Sequence, residues 1–264
     1  MFERPLHQRI AQVLDSFDAP IFLNPRCLFG GGTAVALLHG EFRESVDIEF
    51  ICSSVDGYRE LRSRVTQGGI AALQRTPIPV LREPRFDHDG IRCAFVVDSV
   101  PIKFEIIFEG RIELSEPDPA EVIKGVATLC QDDRVATELM ANSDRWADDA
   151  VLSRGLIDLS MLTESGLLPA VGIAKARHAY GDSVAAEVVM ANSRLLDRPG
   201  RLAACVKGLG ITLTEAALRA RAALYPQFIG SRLALLMFRR NRWTFFRAAL
   251  PWPNDQAKPD QAHA

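Results

Sequence analysis

The sequence predicts an α+β fold, a mixed β-sheet with flanking helices followed by a C-terminal α-helical domain. Three observations predict it. Strand-like runs and helical runs interleave up to about residue 125 without the regular strand–helix–strand rhythm of a parallel sheet. From about Asp132 to Leu250 nearly every segment has helical spacing and is rich in Ala and Leu. The length of 264 residues accommodates one large domain or two of about 150 residues.

Taken in order, Leu6–Phe17 reads as an amphipathic helix with Ile10, Val13 and Leu14 on one stripe. Cys27–Phe29 is a short strand running into Gly30-Gly31-Gly32-Thr33, after which Ala34–Leu38 starts a helix. Val46–Cys52 alternates as a strand does, and Val55–Gln67 is helical. Ile78–Leu81 is a weak strand. Ile91–Asp98 and Val100–Phe108 form a hairpin about Asp98-Ser99. A turn near Glu116–Ala120 divides the chain into a first domain over residues 1–125 and a helical domain over 126–250. Residues 251–264 have too few apolar side chains to pack and read as a flexible tail.

Composition excludes several classes. Lys+Arg of 31 against Asp+Glu of 33 leaves a formal charge of −2, which excludes a globally basic nucleic-acid coat. Hydrophobic content of 48% with 24% charged residues excludes wholesale disorder. No apolar run approaches the ~18 residues of a membrane span, and the start MFERPLHQRI has no apolar signal core. A cytoplasmic location without membrane contact is therefore expected. The five cysteines, at 27, 52, 93, 130 and 205, are scattered and never paired as C-x-x-C, the pattern of reduced thiols.

The chemistry concentrates between Phe29 and Phe50. Period-two geometry points Asp47 and Glu49 to one face of their strand, with Val46, Ile48 and Phe50 on the other. Two carboxylates backed by an apolar face suit a hard divalent cation, although a solvated strand face has the same pattern. Just upstream, Gly30–Thr33 forms a strand-to-helix turn whose N–H groups can approach an anion. In Val100–Phe108, Ile102, Phe104 and Ile106 share one face, and Lys103, Glu105 and Ile107 the other. Glu105 can meet Asp47 and Glu49 if the two strands are neighbours. Arg43 and Ser45 complete the spacing R-x-S-x-D-x-E.

The G-G-T turn followed by R-x-S-x-D-x-E resembles the nucleotidyltransferase superfamily signature, and in its wording the AbiEii/AbiGii toxin group. The segments ATELMANSDR (136–145) and SRGLIDL (153–159) resemble that family's A-E-K-x-x-A-N-x-D-R and R-D-x-x-D-L, so the likeness spans roughly Leu28 to Leu162. The resemblance implies a nucleotidyltransferase-like sheet that moves a nucleoside monophosphate from an NTP to an acceptor and releases pyrophosphate. It implies Mg²⁺ or Mn²⁺ on Asp47, Glu49 and Glu105, with Asp158 as a further catalytic group. Nucleotide binding falls to Gly31, Gly32, Thr33, Arg43 and Ser45, and Lys103 on Glu105's face adds charge. The implied partners are an RNA acceptor such as tRNA and a cognate antitoxin protein. Two positions depart from the family pattern: Glu138 stands where the family has lysine, and Gly155 replaces the first aspartate of R-D-x-x-D-L. A glutamate repels a triphosphate that a lysine would attract. A non-catalytic descendant that binds nucleotide or a partner is therefore the alternative, with transfer to a small molecule as a third.

Other features read as structural. The histidines at 7, 39, 88, 178 and 263 lack ligand spacing, and FDHDG (86–90) reads as a loop. Arg154 and Asp158 stand four apart on a helix whose stripe is Leu152, Leu156 and Leu159, the spacing of an i,i+4 ion pair. Residues 201–224 have the outline of helix-turn-helix, but Arg219 and Arg221 are the only cations of its second helix, too few for a DNA-reading face. Arg232–Arg247 interleaves five arginines with Trp243, Phe245 and Phe246. It reads either as an RNA contact or as a helix that buries its apolar side and snorkels its arginines.

Overall fold

The computed structural model describes residues 2–163 and 167–223. The Arg232–Arg247 segment and the tail lie outside the described residues. The first half contains helix α1 (Pro5–Ser16), a single turn α2 (Pro20–Leu23), strand β1 (Cys27–Gly30), α3 (Gly31–Leu38), β2 (Asp47–Cys52) and α4 (Val55–Gly68). Three longer strands follow, β3 (Val80–Phe86), β4 (Gly90–Val97) and β5 (Val100–Phe108), then a small hairpin of β6 (Val122–Ile123) and β7 (Val126–Ala127). The described remainder is helical: α5 (Gln131–Arg145), α6 (Arg154–Leu162), α7 (Ala170–Tyr180), α8 (Ser183–Leu196), α9 (Arg201–Gly208) and α10 (Glu215–Ala222).

The five-stranded sheet has the order β1-β2-β5-β4-β3, and it is mixed because β2 and β5 run parallel while the other neighbours run antiparallel. The β4–β5 hairpin turns at Asp98 and Ser99, whose φ angles of 49° and 64° suit a tight hairpin turn. Strand β3 lies at the sheet edge and runs four or more residues beyond the expected Ile78–Leu81. An edge position with register shifts tolerates Pro84, which lacks an N–H to donate. Val46 precedes β2 and is 51% exposed, contrary to its expected place on the apolar face.

The sheet separates two apolar cores. On one side α1, α2 and α4 cover Phe29, Phe50, Phe95 and Phe104, which pack with Phe17 and Phe22 at ring-centroid separations of 4.6–5.8 Å. The alternation of β2 and β5 produces this directly, since Ile48, Phe50, Ile102, Phe104 and Ile106 are all fully buried. On the other side Leu28, Val35, Ala36 and Ile51 join a second core with α5 to α10. The expected division at residue 125 falls in the β6–β7 turn, where Lys124 and Gly125 have φ of 53° and 79°. Just past it, Leu129 N–H donates to the Phe29 carbonyl at 2.9 Å.

Candidate active site

The strand β1 ends at Gly30 and the chain turns at once into α3. Gly31 makes that turn with φ of 65°, and a Cβ there would overlap the Glu49 carboxylate. Only glycine meets both demands. A Cβ on Gly32 would strike the Arg43 guanidinium and Asp158. The expected phosphate turn is therefore pressed against the acidic end of β2, and its glycines are required by close approach. Helix α3 starts at Gly31, three residues earlier than the expected Ala34, so its first N–H groups belong to the Gly31-Gly32-Thr33 segment.

Asp47 and Glu49 project from one face of β2 into a narrow cleft of about 50 Å³, walled also by Gly32, Arg43, Ser45, Glu138, Arg145, Trp146, Arg154 and Asp158. Four carboxylates and three guanidiniums line it. The Thr33 hydroxyl donates to Asp47 Oδ1 at 3.1 Å and lies 2.6 Å from the Ser45 hydroxyl. Thr33 has one hydroxyl proton and gives it to Asp47, so Ser45 donates to Thr33. Thr33 and Ser45 are buried. Both are expected at the nucleotide; in the structure Thr33 orients the Asp47 carboxylate, and Ser45, which lines the cleft, holds Thr33.

Arg43 and Asp158 form a buried bidentate pair, Nε to Oδ1 and Nη2 to Oδ2, each at 2.6 Å. The remaining Arg43 Nη1 donates to the Glu44 carbonyl at 2.8 Å. Burial lowers the pKa of the guanidinium, and the Asp158 charge and hydrogen bond together with the charges of Glu138 and Asp47 outweigh it, leaving Arg43 above its ordinary value. Asp158 is thus joined to Arg43 across 115 residues of chain and does not form the expected i,i+4 pair with Arg154. The pair links the sheet side to α6, and Arg43 and Asp158, expected at the nucleotide and in catalysis, both line the cleft.

Glu105 lies opposite Glu49 in the β2–β5 register, and Lys103 opposite Asp47, so the two strands are neighbours. Glu105 nevertheless turns to Lys103 Nζ at 2.6 Å and Arg92 Nε at 3.3 Å, and neither Glu105 nor Lys103 lines the cleft. The expected three-carboxylate cluster does not assemble. Among the described residues, the group whose ligand atoms do converge is Asp87, His88 and Asp89, exposed in the β3–β4 loop. The period of β2 and β5 was enough to put the three carboxylates on one face, but the side-chain directions were set by Arg92, which the sequence reading did not connect with Glu105.

Asp47 and Glu49 by themselves suit a divalent ion. Burial, and next the Asp47 charge, push Glu49 up to about 7. Such repulsion between two carboxylates is what a bound dication relieves. Mg²⁺ is commonly held by one or two carboxylates together with substrate phosphates. Glu138, in the lysine position of the resemblance, is buried and pushed well above the carboxylate range by desolvation and then by Asp158. Gly155 gives α5 and α6 their close approach, because a Cβ there would lie 3.2 Å from Asn142 Cα and N. Sequence reading missed Arg145, Arg154 and Trp146 as cleft residues. Arg145 and Arg154 form no salt bridge among the described residues, and Arg145 Nε contacts only the Ala141 carbonyl, at 3.4 Å. Their place in ANSDR and SRGL was visible, but which side of their helices met β2 was not.

A family model described as nucleotidyl transferase AbiEii toxin, type IV TA system, matches residues 12–249. Two solved structures from Helicobacter pylori are similar to the chain. One, described provisionally as a nucleotidyltransferase, is 15% identical, with 89% of this chain and 99% of that chain covered and a TM-score of 0.47. The other, JHP933, is 13% identical, with 91% and 100% covered and a TM-score of 0.48. No curated protein matches the chain.

Proposed function

Since the chain belongs to the AbiEii nucleotidyltransferase toxin family of type IV toxin–antitoxin systems, we propose that it transfers a nucleoside monophosphate from an NTP to a hydroxyl of an RNA acceptor such as tRNA. The supporting observation is the pair Asp47 and Glu49, adjacent on one strand face and opening into the same cleft as the Gly32 turn. In this reading the first domain and the helical domain form the two walls of the site, and a cognate antitoxin is the protein partner. Asp47 and Glu49 hold Mg²⁺ or Mn²⁺, which supplies charge neutralisation at the phosphates.

The residues of the chain perform the rest. The N-terminal turn of α3 presents N–H groups to the phosphates, and Arg145 and Arg154 draw the triphosphate in from the opposite wall. Trp146 offers a ring to the base. The acceptor oxygen forms a bond to the α-phosphorus as the bond to the pyrophosphate oxygen breaks. The acceptor's proton leaves to solvent as the new bond forms.

Glu138 favours the alternative of a non-catalytic nucleotide- or partner-binding protein, because no lysine among the described residues lines the cleft. Each α-labelled NTP, incubated with total RNA and Mg²⁺ or Mn²⁺, decides between them. Label on RNA with wild type and none with D47A supports transfer and identifies the acceptor. Mn²⁺-dependent NTP binding without label supports the alternative.

A further inference from the structure

A second set of buried polar contacts reaches the site from α1. His7 is fully buried. Its Nε2 lies 3.1 Å from the Ser45 backbone N–H, and its Nδ1 lies 2.7 Å from Glu41 Oε1. A backbone N–H can only donate, so Nε2 is the unprotonated acceptor and Nδ1 carries the proton donated to Glu41. Glu41 is itself fixed in place: its carboxylate accepts from the N–H groups of Glu3 and Arg4 at 2.6 and 3.1 Å, and its carbonyl accepts from Arg4 Nε at 3.0 Å. Glu41 thereby serves the open N-terminus of α1, whose own cap residue, Arg4, makes no side-chain capping bond to the helix. Arg4 also reaches the Gly210 carbonyl at 2.6 Å, tying this corner to the helical side.

From these contacts we propose that His7 is a positioning residue for Asp47: held as the Nδ1–H tautomer, it fixes the Ser45 backbone, and Ser45 through Thr33 sets the Asp47 carboxylate. The proposal rests on the reading of Asp47 as a metal-holding residue. The relay runs from Glu41 to His7, to Ser45, to Thr33 and to Asp47, and every link is a hydrogen bond of 2.6–3.1 Å. His7, Ser45 and Thr33 are 0%, 3% and 1% exposed, so water does not compete for these bonds. The Ser45 N–H has no other hydrogen-bond acceptor among the described residues, so the imidazole is what satisfies it. Burial lowers the imidazole's pKa, against the opposing pull of Glu41 and Glu44 and with the help of Arg4, which keeps the neutral ring. Groups that bond a ligand directly, as Thr33 bonds Asp47, alter metal affinity by about 10–100-fold when removed, and His7 acts on Thr33 through Ser45.

Two substitutions separate the relay from packing. In H7Q the side-chain oxygen overlays Nε2 and can still accept from Ser45, while the Glu41 bond is lost. In H7N the amide overlays Nδ1 and keeps Glu41, while Ser45 loses its acceptor. Thermal melts establish that both variants are folded. Heteronuclear NMR of wild type should show Nδ1 protonated and Nε2 bare at neutral pH. In H7N, Ser45 amide exchange should speed by about fivefold or more, the factor that losing one buried hydrogen bond implies. The Asp47 carboxyl-carbon resonance should move, and Mn²⁺ affinity should fall by about tenfold. H7Q should restore most of all three. An Nε2–H or cationic imidazole overturns the proposal, as does equal loss in both variants. It is also overturned if Ser45 exchange speeds while the Asp47 resonance stays fixed, because the relay then ends at Ser45. If wild type binds no Mn²⁺, or D47A binds as wild type does, the metal reading has failed, and the tautomer, amide exchange and Asp47 resonance decide the role of His7 without it.

Discussion

Single residues of the cleft are held in states that their neighbours impose. Glu49 has its pKa raised from 4.5 to about 7, so its protonation favours the folded state below about 4.5. That contribution is lost as pH rises through 7, where the folded protein must hold an ionised Glu49 beside Asp47. Without divalent ions, E49Q should therefore be more stable than wild type at pH 8 by about 1–3 kcal/mol, and the gap should close below pH 4.5. Denaturant unfolding at the two pH values measures it, and Mn²⁺ should narrow the gap at pH 8 by stabilising wild type alone. The Arg43–Asp158 pair has the opposite character. D158A leaves a buried guanidinium unpaired and should cost about 3–5 kcal/mol, whereas R43M/D158L should recover most of that loss. An additive double variant in urea unfolding would show that the two charges do not act as a pair.

At the scale of elements, strand period was the most legible signal. The apolar faces of β2 and β5, the β4–β5 turn and the helix over residues 5–16 all follow from local alternation and spacing. The single turn α2 and the two-residue strands β6 and β7 are too short to show a period. The strand-to-helix turn at Gly31 was visible as a glycine run, but the reason for each glycine is a tertiary neighbour. Gly155 is the plainest case, since its replacement of an aspartate reflects the contact of α6 with the Asn142 backbone. G155A puts a Cβ 3.2 Å from the Asn142 backbone; in denaturant unfolding a loss of about 1–3 kcal/mol marks a rigid contact, and no loss shows that the two helices give by a few tenths of an ångström. The change E138K is accordingly a cleaner test of the missing lysine than a double change with G155D. If cleft charge limits binding, E138K alone should tighten Mg-NTP affinity.

For the whole molecule, the sheet has a core on each side, and Leu28, Val35, Ala36 and Ile51 belong to the core completed by α5 to α10. A fragment ending at residue 125 would expose these side chains and lose the Leu129–Phe29 bond. It should express as an aggregate or as an expanded state with weak near-ultraviolet dichroism. A cooperative thermal transition in that fragment would show the first domain to be independent. The shared core also explains the site: β2 supplies Asp47 and Glu49, α5 and α6 supply Glu138, Asp158, Arg145 and Arg154, with Trp146 at the end of α5, and the cleft lies where the two sides meet. Among the described residues no helix is long and apolar enough to cross a membrane.

The sequence by itself determined the α+β class, most strand and helix positions, the adjacency of Asp47 and Glu49, and the family. All of these reside in local period or in short motifs of fixed spacing. Tertiary structure alone decided how the polar groups pair. Asp158 met Arg43 rather than Arg154, Glu105 turned to Lys103 and Arg92, Thr33 turned to Asp47 and Ser45 to Thr33, and His7 reached Ser45 from α1. The physical reason is that a buried charge or hydroxyl takes whichever partner the fold brings within about 3 Å, and that choice depends on segments far apart in the chain.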